Sequence, residues 1–292
     1  EVMADPEAAR AMAWRGATGT LARYTWDVNA AQVCAWFQPM PQTVETSVQR
    51  RAPLLDPRLR QRLYRASRAD LVGHVIRQAL TDTAARDLVV TDIDVLKYKP
   101  RRRAVLRYHL ADAPWPTVIG KVFRDERAGR LAAIQKHLWE AGFGPDAADA
   151  IHVAEPIALL PELRAFLQAQ APGRTLNELH LDGADLGPLV ERTAVGLAKL
   201  HSVVWDQHWT SLDVYTPDRE STSLGRYAAD LTTARPDLGD DATALLASLQ
   251  EWAGALPMPK RLRPVHRDFY YSQVLIDGPR LTLIDFDLIC LG

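Results

Sequence analysis

The chain has 292 residues, 47% hydrophobic and 24% charged, which is enough for two or three lobes with real cores. A net charge of −1 leaves no basic footprint for nucleic acid or an anionic membrane, and no apolar run nears the roughly 20 residues of a membrane helix. Two distant cysteines, Cys34 and Cys290, give neither a disulfide framework nor metal-ligand spacing, and the N-terminal residues do not read as a signal peptide, so a reducing cytoplasm is the expected compartment.

Residues 1–86 read as a mostly helical extension. Residues 6–15 are Ala-rich, which favours helix. Gln38-Pro39-Met40-Pro41 breaks the pattern. A second helical region is expected from Asp56-Pro57, with Leu59, Leu63, Ala66, Leu71, Val75 and Leu80 at helical spacing. This region is expected to pack on the lobe after it. Residues 16–19 are too weak a signal for a phosphate loop. Arg58, Arg60, Arg62, Arg65 and Arg68 read as a solvated helix face.

From residue 87 the period changes to that of strands. Residues 88–98, 104–110 and 117–123 are expected strands, with a basic turn at 99–103 and a loop at 111–116. A helix should run from about Asp125, which can cap it, to Trp139, ended by Gly142 and Gly144-Pro145. Lys121 is one of only six lysines and lies among Val118, Ile119, Val122 and Phe123. An ammonium pointing inward from such a strand needs an anionic partner. On the helix, Glu126 is very early and Glu140 very late; Glu126 is the candidate. Residues 151–160 and 163–168 read as two strands split by Pro161, and Pro172-Gly173 as a turn.

Further helices are expected at 186–201, 217–234 and 240–252. The acidic loop 235–241 reads as helix capping more readily than as a seat for a cationic ligand. Near the end, Val274-Leu275-Ile276, the turn Asp277-Gly278 and Leu281-Thr282-Leu283-Ile284 predict a β-hairpin. Such a hairpin brings the loop before its first strand next to the residue closing its second, so Asp268, Gln273 and Asp285 should converge. Alone, an Asp after a strand is a turn or cap residue. Together, two carboxylates and an amide suit phosphoryl transfer: one carboxylate accepts the hydroxyl proton, and hard oxygens hold Mg²⁺.

The order His266-Arg267-Asp268, four residues, Gln273, then Asp285-Phe286-Asp287 resembles the aminoglycoside phosphotransferase family, small-molecule relatives of the protein kinases. Gly196 to His201 resembles a family helix ending in L-A-x-L-H. Arg267 departs from a usual Gly, Gln273 from a usual Asn, and the turn at 99–103 from a glycine-rich loop. The resemblance spans about residues 87–292 and is specific at 265–287.

The resemblance implies an α+β, protein-kinase-like bilobal fold. An antiparallel-sheet N-lobe would span 87–167 and a mainly helical C-lobe 168–292, behind the helical extension. It implies that Asp268 takes the acceptor proton, that Asp285 and Gln273 hold Mg²⁺, and that Lys121 contacts ATP phosphates with Glu126 as its helix partner. The linker 168–173, with Gln168 and Gln170, would hold adenine through its backbone. Arg102 or Arg103 could contact phosphates, Asp287 could aid the metal, and His266 and His201 would pack around the catalytic loop. Family members continue past this point with helices that form much of the acceptor pocket, so the chain looks cut short.

The expected activity is ATP-dependent phosphorylation of a hydroxyl on an aminoglycoside, sugar or related polyol. A catalytically inactive kinase-like scaffold is the alternative, favoured by Gln273, the glycine-free turn and the poorly placed Glu126. A protein kinase fits less well, because no activation segment or A-P-E comes after Asp285. Neither the acceptor nor the oligomeric state is legible.

Overall fold

A computed structural model describes residues 59–80, 86–205, 212–255 and 261–292. The chain divides into two compact units, Glu1–Ala52 and Pro53–Gly292. The described residues all belong to the second unit; the helix expected at 6–15, the residues 16–19 and the break at 38–41 lie outside them.

Alternation builds the first sheet. Strands β1 (Val89–Lys99), β2 (Arg103–Ala111) and β3 (Thr117–Phe123) form an antiparallel meander. β6 (Ala165–Ala169) and β5 (Pro156–Leu160) complete it in the order β1-β2-β3-β6-β5. Along β2, Ala104, Leu106 and Tyr108 are buried while the residues between them are not, the period-2 signature of a sheet with one covered face. Gly120 of β3 allows Tyr108 to lie across the strand, since a Cβ there would stand 2.5 Å from the Tyr108 ring.

Helices α1 (Arg60–Ala66) and α2 (Ala69–Ala79) cover that face. Leu63, Val72, Val75 and Ile76 join Leu106, Tyr108 and Leu167 in one buried cluster. Two of the arginines expected to face solvent instead tie this layer down. Arg62 donates to the carbonyls of Phe123 and Arg124 at 3.2 and 3.1 Å, and Arg65 pairs with Glu162 at 2.5 Å. Sequence spacing showed the helix face but not these carbonyls and carboxylate, which lie far along the chain.

Helix α3 (Arg127–Leu138) starts later than expected. Asp125 lies one residue before the N-cap, Glu126; its carboxylate accepts from the Arg127 backbone N–H at 3.4 Å and from the Arg127 guanidinium at 2.8 Å. The strand expected at 151–160 is two elements. β4 (Ile151–Val153) leaves the first sheet and runs parallel to β10 (Arg280–Leu283) in a second sheet of order β4-β10-β9-β7. β9 (Val274–Asp277) and β10 are the expected hairpin, and β7 (Arg174–Thr175) pairs with β9. Gly173, at φ +96°, makes this last approach possible: a Cβ there would lie 2.2 Å from the Ile276 carbonyl oxygen, a distance no side chain tolerates.

Thr175 and Glu178 form a reciprocal capping box at the start of α4 (Leu176–Leu181). Helix α5 (Gly187–Ser202) lays Gly196 and Leu200 on the second sheet, where α3, β4 and β10 share a second buried cluster. Helices α6 (Pro217–Ala234) and α7 (Gly239–Ala255) form a hairpin in which Gly239 is the one buried residue. Short strands β8 (Pro264–Val265) and β11 (Cys290–Leu291) pair antiparallel on either side of the 265–287 motif. Among the described residues, no helix is long and apolar enough to cross a membrane.

Candidate active site

The hairpin brings Gln273 and Asp285, two of the three residues expected to converge, together. Gln273 closes a short 3₁₀ turn before β9, and Asp285 comes after β10 in the left-handed conformation (φ 67°, ψ 58°). The Ile284 amide donates to the Gln273 carbonyl at 3.0 Å, stitching the two ends together. The Gln273 side-chain amide then lies 3.5 Å from Asp285 Oδ2. Both residues line a cavity of about 660 Å³ whose other walls include Lys121, Arg103, Gln168 and Gln170.

Lys121 reaches across that cavity from β3. Its Nζ donates to Asp285 Oδ1 at 2.6 Å and to Asp287 Oδ1 at 2.8 Å, and Arg103 of β2 forms an ion pair with the other oxygen of Asp287. The anionic partner that the apolar strand demanded is therefore Asp285 with Asp287. Burial pushes the Asp285 carboxyl up, but Lys121 and Arg103 pull it further down, so it sits below the ordinary carboxylate range. Burial pulls the Lys121 ammonium down against the opposing pull of Asp285.

Glu126 is not the lysine's partner. It stands at the mouth of α3 and pairs with Arg164 at 2.6 Å, with 79% of its side chain exposed. Glu140 pairs with Lys136. Between them α3 carries no acidic residue, and its buried polar side chain, Gln135, donates to the Ala154 carbonyl at 2.6 Å. Sequence reasoning missed Asp287 as a direct lysine partner and Arg103 as its second cation. The available signal was the second acid of Asp285-Phe286-Asp287, two residues beyond the first.

In the linker, Gln168 is buried and Gln170 borders the cavity. The backbone N–H groups of Ala169 and Gln170 are already used, donating to the carbonyls of Glu155 (2.9 Å) and Thr117 (3.2 Å). The N–H of Gln170 is thus committed to the sheet edge rather than offered to the cavity.

Asp268 stands half-buried between β8 and the 3₁₀ turn, and its carboxylate makes no hydrogen bond or ion pair with any described residue. It does not line the 660 Å³ cavity. His266 holds its loop from behind. The imidazole packs against Phe269 and Phe286, and its Nε2–H donates to the Ile284 carbonyl at 2.9 Å. Burial holds the ring's pKa down despite that bond and the nearby Asp285 and Asp268 charges, so it stays neutral, with Nδ1 unpartnered among the described residues. His201, at the end of α5, is likewise kept neutral by burial and lines none of this cavity.

Arg267 adopts a left-handed backbone (φ 65°), the region that glycine enters most cheaply. Its guanidinium stacks 3.3 Å above the Tyr215 ring centroid and lies 3.8 Å from Glu220. That cation–π contact offsets part of the backbone cost.

The profile of the phosphotransferase enzyme family matches residues 96–292. The chain belongs to this family. Among solved structures, this phosphotransferase-family chain is similar to spectinomycin phosphotransferase APH(9)-Ia in complex with ADP and spectinomycin. The identity is 10% and the TM-score 0.56, over 77% of this chain and 70% of that one. It is also similar to a thermostable mutant of aminoglycoside phosphotransferase APH(4)-Ia in ternary complex with AMP-PNP and hygromycin B. There the identity is 16% and the TM-score 0.52, over 76% and 72% of the two chains. At these identities the likeness establishes the kinase-like fold of this family member. No curated protein matched the sequence.

Proposed function

We propose that the chain transfers the γ-phosphoryl group of ATP to a hydroxyl of a small molecule. The observation that carries this reading is the meeting of Lys121, Gln273 and Asp285 in one cavity, with a free carboxylate, Asp268, on the adjoining loop. The nucleotide complexes among the similar folds, with ADP and with AMP-PNP, support the choice of donor. The lobes would divide at Leu167 and Gln168, behind the extension of residues 1–86. The free, buried Cys290 suits a reducing cytoplasm.

In this reading Lys121 and Arg103 release their aspartate partners to meet the phosphates. Asp268 orients the acceptor hydroxyl and takes its proton as the acceptor oxygen bonds to the γ-phosphorus; the bond to the β-phosphate oxygen breaks and ADP leaves. His266 and Phe286 hold the loop so that Asp268 need not be ordered during the reaction. The donor set of Asp285, Asp287 and the Gln273 amide oxygen fits Mg²⁺, which takes hard oxygen ligands and few carboxylates. When bound, the ion would neutralise charge on the transferring group.

Asp268→Ala should lower turnover about 10²- to 10⁴-fold, the usual worth of a positioned general base, with nucleotide affinity nearly unchanged. The check is ADP release against an acceptor panel, with calorimetry for Mg²⁺-ATP. Near wild-type turnover would remove Asp268 from this role. Absent nucleotide binding in the wild-type chain would favour the inactive scaffold instead.

A further inference from the structure

A second cavity, of about 780 Å³, opens between the first three turns of α6 and the loop that carries Asp268. It shares no lining residue with the nucleotide cavity. Arg219, Arg226 and Arg267 line it, with Glu220 as its sole acidic residue among those described and the hydroxyls of Tyr215 and Ser223 beside them. Arg267, which lines this cavity, is the residue next to Asp268 in the chain.

The charges there are unevenly matched. Glu220 is taken by Arg267 at 3.8 Å. Arg219 donates only to the Val214 carbonyl, at 3.0 Å, and Arg226 only to the Ser223 hydroxyl, at 3.4 Å. Neither forms an ion pair with any described residue. Two guanidiniums without a carboxylate partner are thus set on one helix face, around a concave surface beside the base. Guanidinium forks match the geometry of carboxylate and phosphate oxygens, and a concave surface of one sign concentrates ligands of the other. A polycationic acceptor would meet repulsion at the same place.

Resting on the phosphotransferase reading above, we propose that the acceptor carries an anionic oxygen group beside its reactive hydroxyl, and that Arg219 and Arg226 hold that group. Its hydroxyl then lies towards Asp268, while the Tyr215 and Ser223 hydroxyls, bonded to each other at 3.0 Å, form part of the wall.

The test uses the full chain with Mg²⁺-ATP and matched acceptors: glucose, gluconate, glucose 6-phosphate and kanamycin. Thermal shift and calorimetry read binding independently of turnover. The anionic compounds should bind at least about tenfold tighter than glucose, a difference of about 1.4 kcal/mol. Arg219→Gln with Arg226→Gln should erase that preference and flatten its salt dependence, while ATP binding persists and shows the variant is folded. Preference for gluconate over glucose 6-phosphate, or the reverse, tells carboxylate from phosphate. Tighter binding of kanamycin, equal binding of glucose and its anionic twins, or a preference that survives both substitutions would overturn the proposal. Anion binding without turnover would leave this site standing and sink the catalytic reading; turnover of kanamycin would do the opposite.

Discussion

The two cavities differ in how their side chains are held. Around Lys121 each functional group is fixed by the fold: Lys121, Gln273 and His266 are buried, and Asp285 and Asp287 keep only 18% and 11% of their side chains exposed. Along the α6–α7 hairpin, by contrast, α6 buries no residue at all, and Tyr227, Trp252 and the arginines stand in solvent. The first region is built into the core, where changing one group disturbs both packing and chemistry. The second is built on a surface, where side chains can change without cost to the fold. A family that varies its acceptor while retaining its donor chemistry would be served by this division.

The sharpest way to break that contrast is Lys121→Ala. It leaves Asp285 and Asp287 with Arg103 as their remaining cation in a largely dry site. Removing one partner of a buried ion pair should cost about 3–5 kcal/mol, read as a lower denaturation midpoint at constant slope. A loss under about 1 kcal/mol would mean that solvent reaches the cluster freely. Next is Gly120→Ala. The added methyl meets the Tyr108 ring at 2.5 Å and Leu167 at 3.1 Å, so overpacking of about 1–3 kcal/mol is expected.

A pH titration sharpens the comparison further. The folded state holds His266 neutral, with its pKa lowered by burial, whereas the unfolded chain protonates it near pH 6.5. Its contribution to stability is therefore fully present above about pH 6.5 and is lost as pH falls from there through the lowered folded value. His152 and His201 are shifted the same way, for the same first cause. His266→Gln should make the acid-side decline shallower without removing it; an unchanged slope in urea unfolding at stepped pH would show the ring to be solvated. The smallest effect belongs to the hairpin: Trp252→Gln, at a residue 76% exposed, should move stability by no more than about 0.5 kcal/mol.

What could be read from the sequence divides along the same line. The meeting of Gln273 with Asp285 was legible because a two-residue turn between two short strands leaves one way to close the chain. Lys121 was legible because apolar neighbours leave an ammonium in need of charge. Its true partners were not, because Asp287 lies in a 3₁₀ turn entered through left-handed Asp285, whose direction no local pattern encodes. Glu126 was mistaken because the helix begins after it and Arg164, on a distant turn, claims it. The parallel pairing of β4 with β10 and the anchoring of Arg62 and Arg65 depend equally on contacts distant in sequence. The Arg219 and Arg226 cavity left no trace beyond ordinary helix charges.

The cluster of two aspartates with Lys121 and Arg103 has one more consequence. It is electroneutral on its own, with each negative charge already answered from β2 or β3. Occupancy of the nucleotide cavity is therefore an exchange of counter-charges and not the filling of a gap. Measured affinity there reports the difference between two neutralised arrangements, and a ligand arriving without its own balancing charge has no advantage over the protein's internal one.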